Sequence, residues 1–298
     1  MSTTSVYRTP TGEKAVMAFY DSILKRWPLP FETVNIATRH GNTFIIASGR
    51  QSSPPLVLLH GAGTNSAVWA RDVVAYSRYY RTYAVDLLGE AGKSASNRPS
   101  WNSPAYAEWL DDVLNALKVE RAILIGMSQG AWVALKYTIS KPDSVEKLVL
   151  ICPGGVIPDR VSFVFRAFCY SLSGRWGVKR MVQMLYADQR VPESVEEMTA
   201  VLLSNFRVRV GILPIYSDEE LQRLTMPTLL LGGTKDALRD IEKIAARLHT
   251  FVPQLDVEIL PGAGHAVLNT AEHILSFLSP EEARVASYKE DGAHDGSL

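Results

Sequence analysis

Short apolar segments alternate with segments of helical periodicity along most of the chain. The apolar segments are PLVLLHG (55–61), TYAVDL (82–87), AILIG (122–126), KLVLICP (147–153), TLLLGG (228–233) and DVEILPG (256–262). Helical periodicity appears near 66–80, 104–117, 129–140 and 270–278, and on a face carrying Ile241, Ile244, Ala245 and Leu248. Because strands that are apolar along their whole length are buried on both faces, this pattern predicts a mostly parallel sheet with helices on both sides.

The first fifty residues follow a different pattern. Residues 14–27 place six large apolar side chains on one helical face, namely Val16, Phe19, Tyr20, Ile23, Leu24 and Trp27. We expect this helix to pack on the core, although a membrane-lying or partner-binding helix is the alternative. The segment ETVNIATRHGNTFIIASG (32–49) has two β-rich runs around His40-Gly41-Asn42 and predicts a hairpin.

The alternation of strands and helices is interrupted between about 156 and 225. This stretch is helical in pattern and too long for a connecting loop. It is rich in large apolar residues, including Phe163, Phe165, Phe168, Tyr170, Trp176, Met181, Met184 and Leu185. We therefore predict a core formed by 1–155 and 226–278, a helical cap inserted at 156–225, and a polar tail at 279–298 that frays.

Composition excludes several classes of partner. Of 298 residues, 31 are Lys or Arg and 31 are Asp or Glu, and neither a basic stripe nor a polybasic segment is present. This balance argues against nucleic acid and against an anionic membrane surface. No apolar run approaches the roughly 20 residues that a membrane span needs, and the N-terminus lacks a signal-peptide pattern. Cys152 and Cys169 are expected to be small buried hydrophobic residues. We therefore expect a cytoplasmic protein.

The sequence GMSQG (126–130) lies where a predicted strand passes into a predicted helix. A nucleophilic serine on such a strained strand-to-helix turn needs small neighbours two residues away on each side, which Gly126 and Gly130 supply. A serine that only caps the helix is the structural alternative. The flanking strand and helix favour Ser128 as a nucleophile.

A serine nucleophile requires a base and a group that orients the base. His265 follows the last predicted strand in the glycine-rich loop LPGAGHAVL, at the sheet edge where active sites gather. The loop after the preceding strand, TKDALRD, offers Asp236 and Asp240 as the orienting acid. Asp236 lies nearer the strand end, whereas capping of the next helix explains Asp240. The order Ser128, Asp236, His265 matches that of α/β-hydrolases.

An oxyanion hole requires backbone N–H donors near the nucleophile. The residue after the serine, Gln129, is expected to supply one donor. The loop LLHGAGTNSAVW (58–69) follows an early strand, and Ala62 is the second donor by position. His60 is expected to brace this loop, Trp69 to pack in the core, and Asp86 to be structural.

At these residues the chain resembles the α/β-hydrolase superfamily, over 32–278. The N-terminal helix and the stretches FIIASG, PPLVLLHGA, YRTYAVDLLGEAGKS and DEEL resemble bacterial carboxylesterases of the carboxylesterase NP type more closely. The resemblance implies a serine esterase with a helical cap and with no metal or organic cofactor.

Two features depart from the superfamily pattern. The loop TKDALRD lacks the usual proline, so Asp240 stays open as an alternative triad acid. Glu90 stands where many relatives have an aromatic residue or glycine.

The predicted function is hydrolysis of a small-molecule, hydrophobic carboxylic ester through Ser128, His265 and Asp236. The same triad also serves C–C bond hydrolases, lactonases, thioesterases and perhydrolases, and fold alone does not separate them. Haloalkane dehalogenases and epoxide hydrolases are disfavoured because they carry aspartate at the elbow. A ligand receptor on a hydrolase scaffold is the alternative outside catalysis. The sequence does not indicate an oligomeric state.

Overall fold

Eight strands form one sheet in the computed structural model, which describes residues 5–209 and 211–278. The strands are β1 (Phe31–Thr38), β2 (Gly41–Ser48), β3 (Pro55–Leu59), β4 (Arg81–Val85), β5 (Ala122–Met127), β6 (Val145–Ile151), β7 (Thr228–Gly233) and β8 (Leu255–Leu260). They lie in the order β1-β2-β4-β3-β5-β6-β7-β8. The β1–β2 and β2–β4 pairs are antiparallel and the others are parallel. The mostly parallel sheet with an N-terminal hairpin is thus confirmed.

Ten α-helices accompany the sheet in the described part of the chain. They are α1 (Pro10–Leu24), α2 (Val73–Tyr76), α3 (Ala105–Ala116), α4 (Gln129–Ser140), α5 (Val161–Ser171), α6 (Gly174–Tyr186), α7 (Glu193–Asn205), α8 (Asp218–Leu221), α9 (Ile241–Phe251) and α10 (Ala271–Leu278). The helix expected near 66–80 is instead a 3₁₀ turn (Ser66–Trp69) followed by the short α2. Each piece buries one apolar face, with Ala67 and Trp69 in the first and Val73 and Tyr76 in the second, so the periodicity indicated the buried face and missed the break.

Alternating strand residues feed two separate cores. Val57 and Leu59 of β3 point into the core beneath α3, α4 and α9. Leu56 and Leu58 of the same strand point into the opposite core, which includes residues of α1, α2 and α10. Since successive side chains of a strand point to opposite faces, a continuous apolar strand requires cover on both sides. The helices supply that cover, as the sequence predicted.

The N-terminal helix packs on the core. Val16 and Tyr20 of α1 are buried, and the Tyr20 hydroxyl donates to Oδ1 of the buried Asp86 at 3.0 Å. The Asp86 carboxylate also accepts the backbone N–H groups of Ser66 and Lys93, at 2.8 and 2.7 Å. Asp86 therefore joins α1 to two loops, which is a structural role. The helix ends at Leu24, earlier than its periodicity suggested.

Helices α5 to α8 lie within 156–225, where the sequence predicted an inserted cap. Helix α7 packs on α1 and buries Met198 and Leu202. Helix α5, by contrast, buries none of its residues, and Cys169 on it is exposed. The expectation that both cysteines are buried was therefore right for Cys152 and wrong for Cys169, because α5 stands away from the core.

Among the described residues, no helix combines the length and apolar character needed to cross a bilayer. The division into core and cap remains a prediction, and the tail at 279–298 lies outside the described residues.

Candidate active site

Ser128 occupies a sharp turn between β5 and α4. Its backbone lies at φ 53° and ψ −106°, a region that non-glycine residues rarely adopt. The Ser128 N–H donates to the carbonyl of Ile151 at 2.8 Å, which fixes the turn to the neighbouring strand β6. The side chain is 9% exposed. This strained conformation lifts the hydroxyl out of the strand and above the carboxyl end of the sheet.

Close packing explains the two glycines that flank Ser128. A Cβ on Gly126 would lie 2.5 Å from the Cα of Ala131, inside the first turn of α4. A Cβ on Gly130 would lie 2.2 Å from the carbonyl oxygen of Leu59, at the end of β3. Neither position has room for a side chain, so the spacing of the motif reflects helix α4 pressing against two strands.

A continuous hydrogen-bonded chain joins Ser128, His265 and Asp236. Nε2 of His265 lies 2.9 Å from Oγ of Ser128. Nδ1 of the same ring lies 2.8 Å from Oδ2 of Asp236. The histidine follows β8 and the aspartate follows β7, so parallel strands deliver both loops to one edge of the sheet. All three residues are buried.

Asp236 is held as a carboxylate by its surroundings. Its Oδ1 accepts the backbone N–H groups of Leu238 and Arg239, at 2.7 and 3.0 Å. Burial acts to raise the pKa of Asp236, but His265 and these two N–H groups outweigh it and hold that pKa below its ordinary value. The ionised acid is therefore favoured beside the histidine ring.

Asp240, the other acid in this loop, does not contact His265. It is the N-cap of α9, and its side chain accepts the N–H of Lys243 at 3.3 Å. It also forms an ion pair with Arg160 at 3.2 Å. The structure thus brings Asp236, and not Asp240, to the histidine.

The loop that carries Ala62 lies against Ser128. A Cβ built on Gly61 would lie 3.7 Å from the Cβ of Ser128. In the described part of the chain, the backbone N–H of Ala62 has no hydrogen-bond acceptor. Gln129 is the first residue of α4, where backbone N–H groups lack an intrahelical partner. Both predicted donors are therefore open to an anion.

His60 braces this loop and does not reach Ser128. The imidazole is fully buried, with Nδ1 2.9 Å from the carbonyl of Gly61 and Nε2 accepting the N–H of Leu87 at 2.9 Å. Burial lowers the pKa of His60, which keeps the ring neutral and suits this pair of contacts.

The remaining histidines lie away from the site or outside the described residues. His40 pairs with Glu108, and His273 with Glu258. His249 lies in the last turn of α9. His294 falls in the undescribed tail.

Arg239 contacts the predicted nucleophile and was missed by the sequence reasoning. Its Nη1 donates to Oγ of Ser128 at 3.1 Å and to the carbonyl of Cys152 at 2.9 Å. Its Nε donates to Asp159 at 2.7 Å, so a carboxylate offsets the charge of this 3% exposed side chain. In the loop TKDALRD, only the acids were predicted to take part in the site. A cation in a loop at the carboxyl end of the sheet was the available sign.

Glu90 was also undervalued, because the sequence suggested only an altered loop. The side chain is 3% exposed. Its Oε2 accepts the backbone N–H of Gly63 at 2.6 Å, and its Oε1 accepts from Nε2 of Gln129 at 2.9 Å. Glu90 therefore connects the loop of Ala62 to the start of α4.

One group of side chains in the described residues has the spacing of a metal site. Ligand atoms of Cys152, Asp236 and His265 lie within 4.8 Å of one another. The short hydrogen bond between Asp236 and His265 already uses two of these ligands. Burial raises the pKa of the Cys152 thiol far above its ordinary value, which disfavours the thiolate that metals bind. The donor set suits the hydrogen-bonded arrangement better than a cation.

Comparisons with known proteins agree with this fold. Residues 56–275 match the model of the alpha/beta hydrolase family. The chain is 32% identical to carboxylesterase YbfK of Bacillus subtilis, over 87% of this chain and 92% of that protein. It is also 32% identical to carboxylesterase nap of the same organism, over 83% and 85%. The crystal structure of naproxen esterase (carboxylesterase NP) from Bacillus subtilis, 29% identical, superposes with a TM-score of 0.77 over 94% of this chain and 99% of that chain.

The chain belongs to the alpha/beta hydrolase family and is a hydrolase. The expected likeness to bacterial carboxylesterases of the carboxylesterase NP type is also confirmed.

Proposed function

We propose that the protein hydrolyses carboxylic esters through a triad of Ser128, His265 and Asp236. The observation that carries this proposal is the hydrogen-bonded chain from the carboxylate of Asp236 through His265 to Oγ of Ser128, with links of 2.8 and 2.9 Å. The names of the relatives from Bacillus subtilis support an ester as the substrate.

The reaction proceeds in two halves. His265 takes the Ser128 proton through Nε2 as Oγ attacks the ester carbonyl. The tetrahedral intermediate collapses to an acyl-enzyme, and His265 passes the proton to the departing alkoxide. Water then attacks the acyl group with His265 as the base, and Ser128 is restored when the acid leaves. Asp236 keeps the Nδ1–H tautomer and stabilises the imidazolium in both halves.

The open N–H groups of Ala62 and Gln129 stabilise the oxyanion of each tetrahedral intermediate. Both donors are backbone groups of fixed loops, so they are in place before charge develops on the substrate. Arg239 adds a third donor, directed at Oγ of Ser128. It stabilises the negative charge that gathers on this oxygen when water displaces the acyl group.

The substrate we propose is a hydrophobic ester of small to medium size. Besides the solvent-facing side chains of α5, the segment between β6 and β7 carries the buried apolar side chains of Val156, Val182 and Tyr186, and apolar lining of this kind suits an apolar acyl or alcohol group. Hydrolysis rates measured for a panel of esters that differ in acyl chain length would identify the preferred acyl group.

Replacing Ser128 by Ala should lower kcat for p-nitrophenyl butyrate by at least about 10³-fold, because the attacking oxygen is lost. Release of p-nitrophenol by wild type, the Ser128→Ala variant and a Ser52→Ala control measures this. Ser52 is exposed, and its replacement should leave kcat unchanged. Full turnover by the Ser128→Ala variant contradicts the mechanism. Wild-type release that stops after one equivalent would instead favour a receptor.

Replacing each of the two loop acids by Asn tests the assignment of Asp236 as the acid of the triad. Asp236→Asn should lower kcat by on the order of 10³-fold, since the amide no longer enforces the tautomer that leaves Nε2 free to accept a proton. Asp240→Asn keeps an acceptor at the N-cap of α9 and should change kcat by less than about twofold. The same p-nitrophenyl ester assay compares them. Loss of activity in the Asp240 variant alone would overturn the assignment.

A further inference from the structure

Helices α5 and α6 present an unusual surface, because large apolar side chains point to solvent. On α5, the apolar positions recur at helical spacing and form one stripe that continues into α6. The stripe consists of Val161, Val164, Phe165, Phe168, Leu172 and Trp176, which are 57% to 81% exposed. An amphipathic helix of a globular protein ordinarily turns such a stripe toward the core. An exposed apolar stripe of this kind marks an interaction surface.

The charges around the stripe indicate the charge of its partner. Residues 160–187 contain no Asp or Glu, and α5 and α6 carry Arg166, Arg175, Lys179 and Arg180. Within the described residues, none of these four forms a salt bridge. The surface is therefore apolar and cationic, and in the described part of the chain no ion pair offsets the charge of these four residues.

A shallow depression beside the stripe adds to this pattern. It has a volume of about 270 Å³ and is lined by Trp176, Lys179, Arg180 and Gln183 on one face of α6. The guanidinium of Arg180 also lies over the Trp176 ring, 5.3 Å from its centroid. Two cations, an amide donor and an indole in one depression suit an anionic headgroup at the level of a membrane interface.

We propose that the α5–α6 hairpin docks on an anionic lipid surface. The apolar stripe enters the boundary between headgroups and acyl chains, and the basic residues face the lipid phosphates. The helices lie on the membrane and do not cross it, which agrees with their length. The sequence argued against such a surface because it contains no polybasic segment, and the exposure of the apolar stripe beside these basic residues is visible only in the fold.

The two ends of the α5–α6 hairpin lie beside the candidate active site, so a membrane bound by the hairpin would lie near that site. At the start of α5, the Arg160 N–H donates to the carbonyl of Leu238 at 2.8 Å, in the loop of Asp236. At the end of α6, the carbonyl of Leu185 accepts the N–H of Ala266 at 2.9 Å, beside His265. A docked hairpin would therefore hold the loops of both residues close to the lipid.

Vesicle sedimentation tests this proposal with the full chain. The protein should bind phosphatidylcholine vesicles that contain about one-third phosphatidylglycerol, bind pure phosphatidylcholine vesicles at least about tenfold more weakly, and dissociate in high salt. The double variant Phe165→Ser/Phe168→Ser should lose at least about tenfold in binding, because two aromatic anchors are gone. Phe31→Ser, an exposed aromatic on β1, is the matched control and should bind like wild type.

Thermal unfolding of the variants separates a binding defect from misfolding, since Phe165 and Phe168 are exposed and their loss should leave Tm unchanged. Equal binding to neutral and anionic vesicles, or unchanged binding of the double variant, overturns the proposal. A dimer in sedimentation equilibrium that the double variant abolishes would also overturn it, because the surface would then belong to a second copy of the chain.

A second, independent observation concerns Glu90, which joins the two loops that carry the proposed oxyanion donors. Gly63 directly follows Ala62, and its N–H donates to Glu90 at 2.6 Å. The Gln129 side chain donates to the other carboxylate oxygen at 2.9 Å. One buried carboxylate thereby fixes the spacing between Ala62 and Gln129.

We infer that Glu90 is a positioning residue for the oxyanion hole, an inference that rests on the proposed function. Preorganised donors stabilise a transition state only if they hold their place as charge develops. Burial raises the pKa of Glu90 to about 7, while donation from Gly63 and Gln129 and the charges of Arg98 and Arg209 oppose the rise. The carboxylate is costly to bury, and the two donors offset part of that cost.

Removal of the carboxylate should affect the transition state more than the substrate. Glu90→Ala should lower kcat for p-nitrophenyl butyrate by about 100-fold with little change in KM. Affinity for an aryl trifluoromethyl ketone, which forms a tetrahedral oxyanion on the serine, should fall by a similar factor. Glu90→Gln should recover most of kcat, because the Gln129 amide can rotate to accept from it. The exposed Glu146→Ala is the control and should match wild type.

An unchanged ketone affinity in Glu90→Ala, or equal losses in the Gln and Ala variants, would overturn this inference. The proposed function would survive that result as long as Ser128→Ala is inactive. An active Ser128→Ala variant would remove the basis of both.

Discussion

The backbone of Ser128 is held in the left-handed region, at φ 53°, because β5 and α4 meet there without space for a looser turn. Gly126 and Gly130 permit contacts that any Cβ would block, and the Ser128 N–H is bound to Ile151 on the neighbouring strand. Packing of the whole sheet compensates this local strain. The loops of His265 and Asp236 then need only follow the ends of β8 and β7 to reach the hydroxyl.

Around this turn, the charged side chains of Glu90, Asp236 and Arg239 are buried and hydrogen-bonded. Arg239 is matched by Asp159, and Glu90 by two N–H donors. Buried ionic groups are costly unless their partners are positioned well, so such networks hold their surroundings in one arrangement. In the proposed mechanism that rigidity is useful, because the oxyanion donors and the histidine must be in place before the substrate reacts. Helix α5 shows the opposite case, because its large apolar side chains are unfavourably exposed to water. An external partner that covered them would remove this cost.

Much of the fold was predictable because apolar strands and glycine turns impose local constraints that a sequence displays directly. The strand TLLLGG and helix α4 occur where their patterns indicated, and Asp236 lies nearer the histidine than Asp240 does. Periodicity could not reveal the break in the helix near 66–80, since both pieces bury their apolar face. Arg239 was missed because its contacts depend on three distant segments meeting. The sequence likewise could not show that the apolar stripe on α5 is exposed. Periodicity identifies the apolar face of a helix but does not show whether another element covers it.

Covalent trapping tests the central claim, that Ser128 is the nucleophile, most directly. The protein would be treated with a fluorophosphonate, which phosphorylates an activated serine, and the adduct would be located by mass spectrometry of the digested chain. We predict one adduct per chain, on the peptide that contains Ser128, and parallel loss of esterase activity. An adduct on another residue, or ester hydrolysis that persists after complete labelling of Ser128, would contradict the account.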